Sequence, residues 1–588
     1  MVNKSNKTFS WVFFLGIFIL SLWLTFFLHK PEHNLSWKGA IWADKAGYYI
    51  YLPATFLYQF DVNKAPPGIV DKTGGGFLLD ENRNKIYTKY TYGVALLLSP
   101  FFLLTHGIAL LFNIPELGGF SLLYQNMVNL VAVIYLLLGL LLLKIVLSRY
   151  FNSRVQYFVL FLVYFGTNLL YYTVDETLMS HVYSFFLFSL YLFALIRFLE
   201  TKKYIYFLLI AFSVALVVVI RPINVIILSL LIFWDVTGWK QFLKRVLLWL
   251  QPRHLIPFIL IFILCILPQV FYWHYLTDNY IYYSYGAEGF SHWLNPRVAE
   301  VWFSPLNGLF LYTPLTIVMA AGMVFMMIKK NNNGVLLVII FITVTYLCAS
   351  WQTWYFGCSF GQRAFVEYFV LFSIPIGFVI QKGMQQRFLG LKIIGLLLLL
   401  SMVYFNIRMT LIYEKCFFGA SWDWDRYKKQ IFQAGLLPGT YVRTLLIQDF
   451  ENQDFIPDDP RSSEFFHSGS FSGTFLPSNP ISGQLEIYLY DIGATTPDTL
   501  RISFWAYKPL LLSTQTDLEC FLIHEKDTLF QKRIPIDVQI RGLDEWCKVQ
   551  SLIALPELDQ WDARIFIQFR NKSGKPLFLD DIYVEIMK

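Results

Sequence analysis

Residues 121–147 read SLLYQNMVNLVAVIYLLLGLLLLKIVL and contain one charged side chain, that of Lys144. An α-helix needs about 20 apolar residues to cross the roughly 30 Å of hydrocarbon in a bilayer. This stretch therefore predicts a membrane-spanning helix, and similar apolar runs recur over the first 410 residues. Together they predict about eleven spans, at residues 10–29, 121–147, 155–173, 182–199, 204–220, 223–237, 255–275, 308–328, 335–350, 364–381 and 391–410.

The composition of the whole chain also indicates a membrane protein. Of its 588 residues, 56% are hydrophobic, 19% are aromatic and only 15% are charged, and the mean hydropathy is +0.50. Soluble proteins average about 25% charged residues. The composition therefore excludes a soluble enzyme, a disordered chain and a fibrous repeat. The net charge of +7 does not indicate nucleic-acid binding here, because the basic residues are distributed by membrane topology.

Basic connections predict the orientation of the spans. Every second connection is rich in lysine and arginine, as in the one that carries Lys144, Arg149 and Arg154. The positive-inside rule places these connections in the cytoplasm. The first span is interpreted as retained, so the N-terminus is cytoplasmic and the chain after residue 410 is extracytoplasmic, with a bacterial inner membrane as the expected location. Residues 1–410 carry a net charge of +14 and residues 411–588 a net charge of −7.

The first outer loop, residues 30–120, is large and holds two apolar segments. Residues 45–58 and residues 91–112 are predicted to lie as helices at the outer membrane interface, the second with a break near Pro100. If residues 91–112 crossed the membrane, the basic connection after residue 147 would lie outside. Gly74, Gly75 and Gly76 lack the GK[ST] ending of a phosphate-binding loop and predict a flexible connector.

The sequence changes character after residue 440. Short runs with alternating apolar and polar residues, such as TLRISFWAY (499–507) and ARIFIQFR (563–570), are separated by turn residues. This pattern predicts an extracytoplasmic all-β sandwich over residues 441–588, joined to the membrane part by a connector at 411–440. Whether Cys520 and Cys547 form a disulfide is left open.

One acidic residue in the loop after the first span stands beside apolar and aromatic residues. Asp44 lies in IWADKAGYYIYLP, residues 41–53. A carboxylate at the outer interface can act as a general base toward a hydroxyl acceptor. An acid at this place can equally cap the helix that follows. The spacing alone does not choose between these two roles.

A second acidic stretch is VDETLMSHVYSFF, which contains Asp175, Glu176 and His181. Glu176 and His181 are five residues apart, which is not the i, i+4 spacing of a helical metal-ligand pair. These acids can orient a substrate or anchor basic groups. The alternative is that acids favour a helix N-terminus because of the helix dipole.

Isolated basic residues occur at outer faces that otherwise lack positive charge. They are Lys89, Arg221, Arg297 and Arg363. A guanidinium matches the oxygen atoms of a phosphate group, so these residues are candidates to bind one. The alternative is snorkelling or a salt bridge, for example between Arg363 and Glu367 at i+4.

The layout of residues 1–410 resembles the GT-C class of membrane glycosyltransferases, in particular protein O-mannosyltransferases and lipid A aminoarabinose transferases. The resemblance lies in Asp44 after the first span, in KYTYGVALLLSPFFLL (89–104), in YYTVDETLMSHVYSFFLF (171–188) and in VALVVVIRPINVIILSLL (214–231). The sequence differs from that branch at two positions. Lys45 takes the place where that branch often has a second acid, and no Pro-Pro follows Lys89.

The resemblance implies an inverting transfer of a sugar from a polyprenyl-phosphate donor to an extracytoplasmic protein or glycolipid. Asp44 would be the general base, and the candidates to stabilise the phosphate are Lys89, Arg221, Arg297 and Arg363. The family has no exact motif for Arg297 and Arg363, whose candidacy rests on the charge pattern described above. Asp175, Glu176 and His181 would complete the substrate-binding residues. No cofactor is indicated, and a divalent cation is left open. The alternative functions are a transporter or flippase of lipid-linked sugars and a non-catalytic cell-envelope assembly protein.

The C-terminal region resembles a carbohydrate-binding module with a jelly-roll fold, through DFENQDF (449–455), HSGSFSGTF (467–475) and FLDDIYVEI (578–586). Such modules often carry a structural calcium ion, for which Glu451, Asp580 and Asp581 are candidate oxygen ligands. The alternative is that these acids are solvated loop residues. A glycan-docking role and a purely structural role both stay open.

Overall fold

The computed structural model describes the chain apart from residues 1–3, 29–38, 116, 287, 358, 414–423, 425–426, 429–430, 432–441, 452–459, 477, 490–498, 510–512, 541–543, 557–562 and 588. The chain divides into two compact units, Met1–Phe356 with Phe360–Leu411, and Gly357–Ser359 with Ile412–Lys588. The predicted connector at 411–440 falls mostly outside the described residues.

The described residues of the first unit form helices and one short antiparallel hairpin, β1 (Leu78–Asp80) with β2 (Lys85–Tyr87). Short 3-10 helices occur at Val62–Lys64, Leu117–Gly119, Pro222–Leu228 and Arg363–Phe365, and a π-helical turn occurs at Ala54–Tyr58. The α-helices are α1 (Lys4–Leu28), α2 (Asp44–Tyr49), α3 (Tyr51–Pro53), α4 (Ile69–Lys72), α5 (Gly93–Leu111), α6 (Leu122–Leu147), α7 (Ser153–Phe165), α8 (Leu169–Val174), α9 (Ser180–Thr201), α10 (Tyr204–Ile220), α11 (Ser229–Phe233), α12 (Trp239–Leu250), α13 (Pro252–Thr277), α14 (Val298–Phe303), α15 (Leu309–Tyr312), α16 (Leu315–Ile328), α17 (Asn332–Ser350), α18 (Phe369–Met384) and α19 (Leu389–Ile412).

The apolar helices confirm the prediction of a polytopic helical membrane protein. Within the described ranges, seven helices are long and apolar enough to cross a membrane, among them α6, α9 and α13. Five further apolar segments have 10 to 17 residues. At a rise of about 1.5 Å per residue these are shorter than the hydrocarbon layer. The count of about eleven crossings stays a prediction.

The predicted span 155–173 is two helices. Residues 155–173 break between α7 and α8, at Gly166, Thr167 and Asn168. The side-chain amide of Asn406 in α19 donates hydrogen bonds to the carbonyl oxygens of Phe165 (3.0 Å) and Thr167 (2.7 Å). A distant residue therefore satisfies the backbone carbonyls that the break exposes, which the local sequence does not show.

The predicted break near Pro100 is wrong, because α5 continues through that residue. A proline has no N–H, so the carbonyl oxygen of Leu96, four residues earlier, loses its usual helical donor. The hydroxyl of Ser99 donates to that oxygen at 2.8 Å. This bond replaces the missing one. Helix α5 is also among the seven helices long enough to span, and its interfacial placement stays a prediction.

The segment 45–58 is helical as predicted, and its tyrosines are buried, whereas Phe56 is 41% exposed. Its placement at the outer interface stays a prediction. Tyr48, Tyr49, Tyr51 and Tyr58 are all buried within the protein. The hydroxyls of Tyr49 and Tyr51 donate to the backbone oxygens of Gly119 and Tyr90. These tyrosines are therefore part of the protein core and hold the first outer loop together.

The second unit is a β-sandwich, which confirms the predicted all-β domain. Its described strands form two antiparallel sheets with the strand orders β10-β7-β12-β5-β4, with β3 also paired to β12, and β6-β11-β8-β9. Side chains from both sheets, such as Leu500, Leu518 and Ile565, fill one core. The strands are β3 (Val442–Gln448), β4 (Arg461–Ser462), β5 (Ser472–Gly473), β6 (Ile481–Tyr488), β7 (Thr499–Tyr507), β8 (Thr516–His524), β9 (Asp527–Pro535), β10 (Trp546–Ala554), β11 (Arg564–Asn571) and β12 (Phe578–Met587).

The open question about the two cysteines of this domain is resolved by their positions. Cys520 lies on β8 in the sandwich core and is a free thiol. Cys547 lies on β10, in the other sheet. Cys520 therefore packs as a small apolar side chain and does not form a disulfide with Cys547.

Candidate active site

The backbone around Asp44 is tightly constrained. Helix α2 begins at Asp44, and the preceding Ala43 has a φ angle of 47°, in a region that residues with a side chain rarely adopt. The N–H of Ala43 donates to the carbonyl oxygen of Thr73 at 2.8 Å. A Cβ atom on Gly76 would lie 1.8 Å from the carbonyl oxygen of Ala43. The glycine stretch predicted to be a flexible connector is therefore packed against the turn that presents Asp44.

Gly76→Ala is expected to destabilise the protein and to displace Asp44. Its Cβ would meet the backbone of Ala43 and of Gly47, which cannot move aside as the end of a flexible side chain can. Overpacking of this kind costs about 1–3 kcal/mol. The measurement is thermal unfolding of the purified protein in detergent. Gly289→Ala is the matched control, because no atom lies within 4 Å of its added Cβ. Equal unfolding temperatures of the two variants would contradict the packing argument.

Asp44 forms an ion pair with Arg363, one of the predicted arginines. Nη2 of Arg363 lies 3.5 Å from Oδ2 of Asp44, and the Asp44 side chain is 40% exposed. Burial lowers the pKa of the guanidinium, but the Asp44 carboxylate raises it, and the net pKa lies above the ordinary value. Arg363 is therefore permanently charged. The alternative role of Asp44 as a helix cap is wrong, since Ala43 is the N-cap of α2 and no side chain caps it.

Arg221 lies in a buried polar cluster beside this pair. Its Nη1 atom donates to Oε1 of Glu367 at 3.1 Å, and the Glu367 side chain is completely buried. Asn224 donates to the same oxygen at 3.0 Å, and Tyr368 in turn donates to Asn224. Glu367 thus pairs with Arg221. The alternative salt bridge between Arg363 and Glu367 does not form, because Arg363 pairs with Asp44 instead.

His181 belongs to the same cluster. Its Nδ1 atom lies 3.1 Å from Nη1 of Arg221 and 3.2 Å from Oε2 of Glu367, and its ring is buried. The His181 ring therefore helps to fix the position of the Arg221 guanidinium. The predicted role of His181 in direct substrate binding stays a prediction.

Glu367→Ala is expected to lower the stability of the protein strongly. It leaves the Arg221 guanidinium, which is mostly buried, without a counter-charge. Breaking one half of a buried ion pair costs about 3–5 kcal/mol. The measurement is the thermal unfolding temperature. Glu300→Ala is the control, because Glu300 forms an exposed pair with Arg297 and such pairs contribute about 0–1 kcal/mol. A Glu367→Ala variant as stable as the control would contradict this account.

The acidic loop neutralises a buried lysine next to Asp44. Oε1 of Glu176 lies 3.4 Å from Nζ of Lys45, and both side chains are largely buried. Asp175 follows the C-terminal end of α8, and the next helix begins at Ser180. The helix-dipole explanation for these acids is therefore wrong. Their sequence-predicted role as an anchor for basic groups holds for Glu176.

A cleft of about 290 Å³ opens beside Asp44. Lys89 is on its wall and forms an ion pair with Glu288, at 3.2 Å from Nζ to Oε1. Arg297 is elsewhere, in an exposed pair with Glu300 at 3.4 Å. The described contacts therefore bring Lys89 to the Asp44 site and do not bring Arg297 there. The cleft is lined by Ala43, Asp44, Gly74, Gly75, Gly76, Phe77, Leu78, Tyr87, Thr88, Lys89 and Tyr90.

Three tyrosines complete the site. The charges of Asp44, Arg221 and Arg363 all act on the phenols of Tyr48 and Tyr285, which shows that these groups share one region. The third is Tyr90, on the cleft wall. Burial raises the pKa of Tyr90 well above its ordinary value, and the nearby Asp44 carboxylate raises it further. Its phenol stays protonated and can donate a hydrogen bond.

Sequence reasoning missed five members of this site. They are Lys45, Tyr48, Tyr90, Tyr285 and Glu367. The signal was present for Lys45 and Glu367, because both are charged residues beside apolar stretches, where an unpaired charge is costly. The tyrosines carried no signal, since aromatic residues are frequent throughout the outer loops.

The proposed calcium ligands of the β domain do not fit a cation. Oδ2 of Asp580 accepts hydrogen bonds from the backbone N–H groups of His467 and Ser468, and Oε1 of Glu451 accepts two more. Asp581 contacts the His467 ring at 2.8 Å. These carboxylates face hydrogen-bond donors and hold the loop around His467. In the described parts of both units, no three His, Cys, Asp or Glu residues group as metal ligands.

Comparisons with known proteins give distant structural similarity. No family model and no curated protein matches the chain. The Archaeoglobus fulgidus oligosaccharyltransferase, solved in the apo form and with an inhibitory peptide and a dolichol-phosphate, is 12% identical with a TM-score of 0.41, over 68% of this chain and 56% of that chain. The Mycobacterium smegmatis arabinosyltransferase EmbB is 11% identical with a TM-score of 0.33, over 97% of this chain and 64% of that chain. The chain thus spans less than two thirds of either protein.

Proposed function

We propose that this protein is a GT-C-type membrane glycosyltransferase that moves a sugar from a polyprenyl-phosphate donor to an extracytoplasmic hydroxyl acceptor. The observation that carries the proposal is the Asp44–Arg363 ion pair with Arg221 in the same region. A partly exposed carboxylate can take a proton, and two arginines can hold a phosphate. The protein lies in a bacterial inner membrane with its N-terminus cytoplasmic and its β domain outside.

In this mechanism Asp44 accepts the proton of the acceptor hydroxyl. The hydroxyl oxygen attacks the anomeric carbon, the bond from that carbon to the phosphate oxygen breaks, and the configuration inverts. Arg221 and Arg363 stabilise the negative charge that develops on the lipid phosphate. Among the described residues, the hydrogen bonds of Arg221 all leave from Nη1, so its other N–H groups remain for a phosphate.

The remaining site residues have supporting roles in this proposal. Lys89 and Tyr90, on the wall of the cleft, contact the sugar or the acceptor. Glu176 keeps Lys45 in place beside Asp44, and His181 keeps Arg221 in place. Asp175 stays a predicted contact to the sugar or the acceptor. Arg297 is left out, because its described ion pair is a local, exposed one.

The test is lipid-extract mass spectrometry on a strain that lacks the gene. Loss of the transferase is expected to accumulate a polyprenyl-phosphate sugar, and expression of the intact protein is expected to remove it. The Asp44→Asn variant is expected to leave the accumulated lipid in place. An unchanged lipid profile in the deletion strain would contradict the proposed donor. A transporter of lipid-linked sugars would form no glycosidic bond in an assay with purified protein.

A further inference from the structure

The two arginines of the site are held very differently. Glu367 is completely buried and has three polar neighbours at 3.0–3.2 Å, Arg221 among them. Asp44 is 40% exposed, and its ion pair with Arg363 is a single contact of 3.5 Å. The Arg221 pair is therefore a fixed part of the core. In the Arg363 pair, Asp44 can turn to solvent, but the Arg363 side chain is only 19% exposed, so its charge then requires another anion.

The proposed reaction changes the charge of both partners that compete for Arg363. As the acceptor proton moves to Asp44, that carboxylate becomes neutral. As the bond between the anomeric carbon and the phosphate oxygen breaks, its electron pair stays on that oxygen and the lipid phosphate gains one negative charge. The charge that Arg363 balances thus moves from one neighbour to the other within a single step, and no further reactant is needed.

We propose that Arg363 exchanges partners during transfer, from the Asp44 carboxylate to the lipid phosphate. The inference rests on the proposed function and deepens it. In the resting site Asp44 restrains Arg363, so the cation does not bind the monoanionic donor at full strength. Proton transfer to Asp44 releases Arg363 when the leaving phosphate requires it. The interaction is therefore stronger in the transition state than in the ground state, which is the condition for catalysis.

The test uses Asp44→Asn as a mimic of the protonated base and undecaprenyl phosphate as the probe. The purified full-length protein in detergent is titrated with this lipid, and binding is measured by native mass spectrometry. Asn carries no charge, so Arg363 is free for the phosphate. The variant is expected to bind undecaprenyl phosphate about five- to tenfold more tightly than the unmodified protein. Binding of undecaprenol, which lacks the phosphate, is expected to stay unchanged.

Two controls separate partner exchange from a general charge effect. In an Arg363→Ala background, Asp44→Asn is expected to have no effect on the affinity. Glu300→Gln also removes one negative charge, but from the exposed Arg297 pair, and is expected to leave the affinity unchanged. Asp44→Ser provides a second uncharged variant if Asp44→Asn does not fold.

Three results would overturn the partner exchange. They are equal or weaker binding by both uncharged variants, tightening that persists without Arg363, and equal tightening by Glu300→Gln. A different result separates the exchange from the proposed function. If the unmodified protein and every variant fail to bind undecaprenyl phosphate at all, the lipid-phosphate donor is wrong and the exchange falls with it.

Discussion

Asp44→Asn is expected to lower the rate of sugar transfer about 10²- to 10⁴-fold while the protein still inserts and folds. The carboxamide has the shape of the carboxylate but cannot accept the acceptor proton. Folding is expected to be preserved because the Asp44 side chain is 40% exposed and its one ion pair is long, at 3.5 Å. The measurement is transfer by purified protein, with the unfolding temperature measured on the same sample.

The matched control is Asp71→Asn, the same substitution at an exposed acid of the same outer loop. It is expected to leave both the rate and the unfolding temperature unchanged. Transfer by Asp44→Asn at the rate of this control would show that Asp44 is not the base. A large drop in unfolding temperature together with the loss of transfer would show that Asp44 has a structural role instead.

Arg363→Ala is expected to lower the transfer rate about 10²- to 10³-fold, the effect of removing one preorganised donor to a developing anion. It removes a buried cation that faces Asp44 and the phosphate. Arg363→Lys is expected to recover part of this loss, since lysine restores the charge but not the planar fork of donors. The measurement is the turnover rate at saturating donor, which separates the chemical step from donor binding.

Arg297→Ala is the control for this prediction. Arg297 was an equal candidate from sequence, but its side chain forms an exposed local pair with Glu300. It is expected to change the rate less than twofold. Equal losses in the Arg297 and Arg363 variants would contradict the placement of the phosphate. An Arg363→Ala variant with full turnover would remove Arg363 from the mechanism.

Local patterns in the sequence predicted most of the architecture. Apolar runs identified the helical membrane part, and alternation after residue 440 identified the sandwich. Two helix boundaries were predicted wrongly, and in both places a side chain supplies a hydrogen bond that the local pattern does not show. Ser99 repairs the helix at Pro100, and Asn406 supports the break after Phe165.

The sequence identified candidate residues one at a time. It did not show which of them pair with each other. Charges that did not fit the topology pattern pointed to Arg221 and Arg363, and the position after the first span pointed to Asp44. The same charge pattern made Arg297 an equally good candidate. It suggested Glu367 as the partner of Arg363, where the structure pairs Glu367 with Arg221.

By itself, the sequence determined the class of protein and the two kinds of domain. It also identified a short set of charged residues next to apolar segments, where an unpaired charge costs free energy. These properties depend on composition and on spacing within one segment, so they can be read locally. Only the tertiary structure decided which charge neutralises which. Asp44 and Arg363 are 319 residues apart in the chain, and Arg221 and Glu367 are 146 apart. Packing between distant helices and loops brings such pairs together, because a charge in an apolar surrounding is stable only when an opposite charge reaches it.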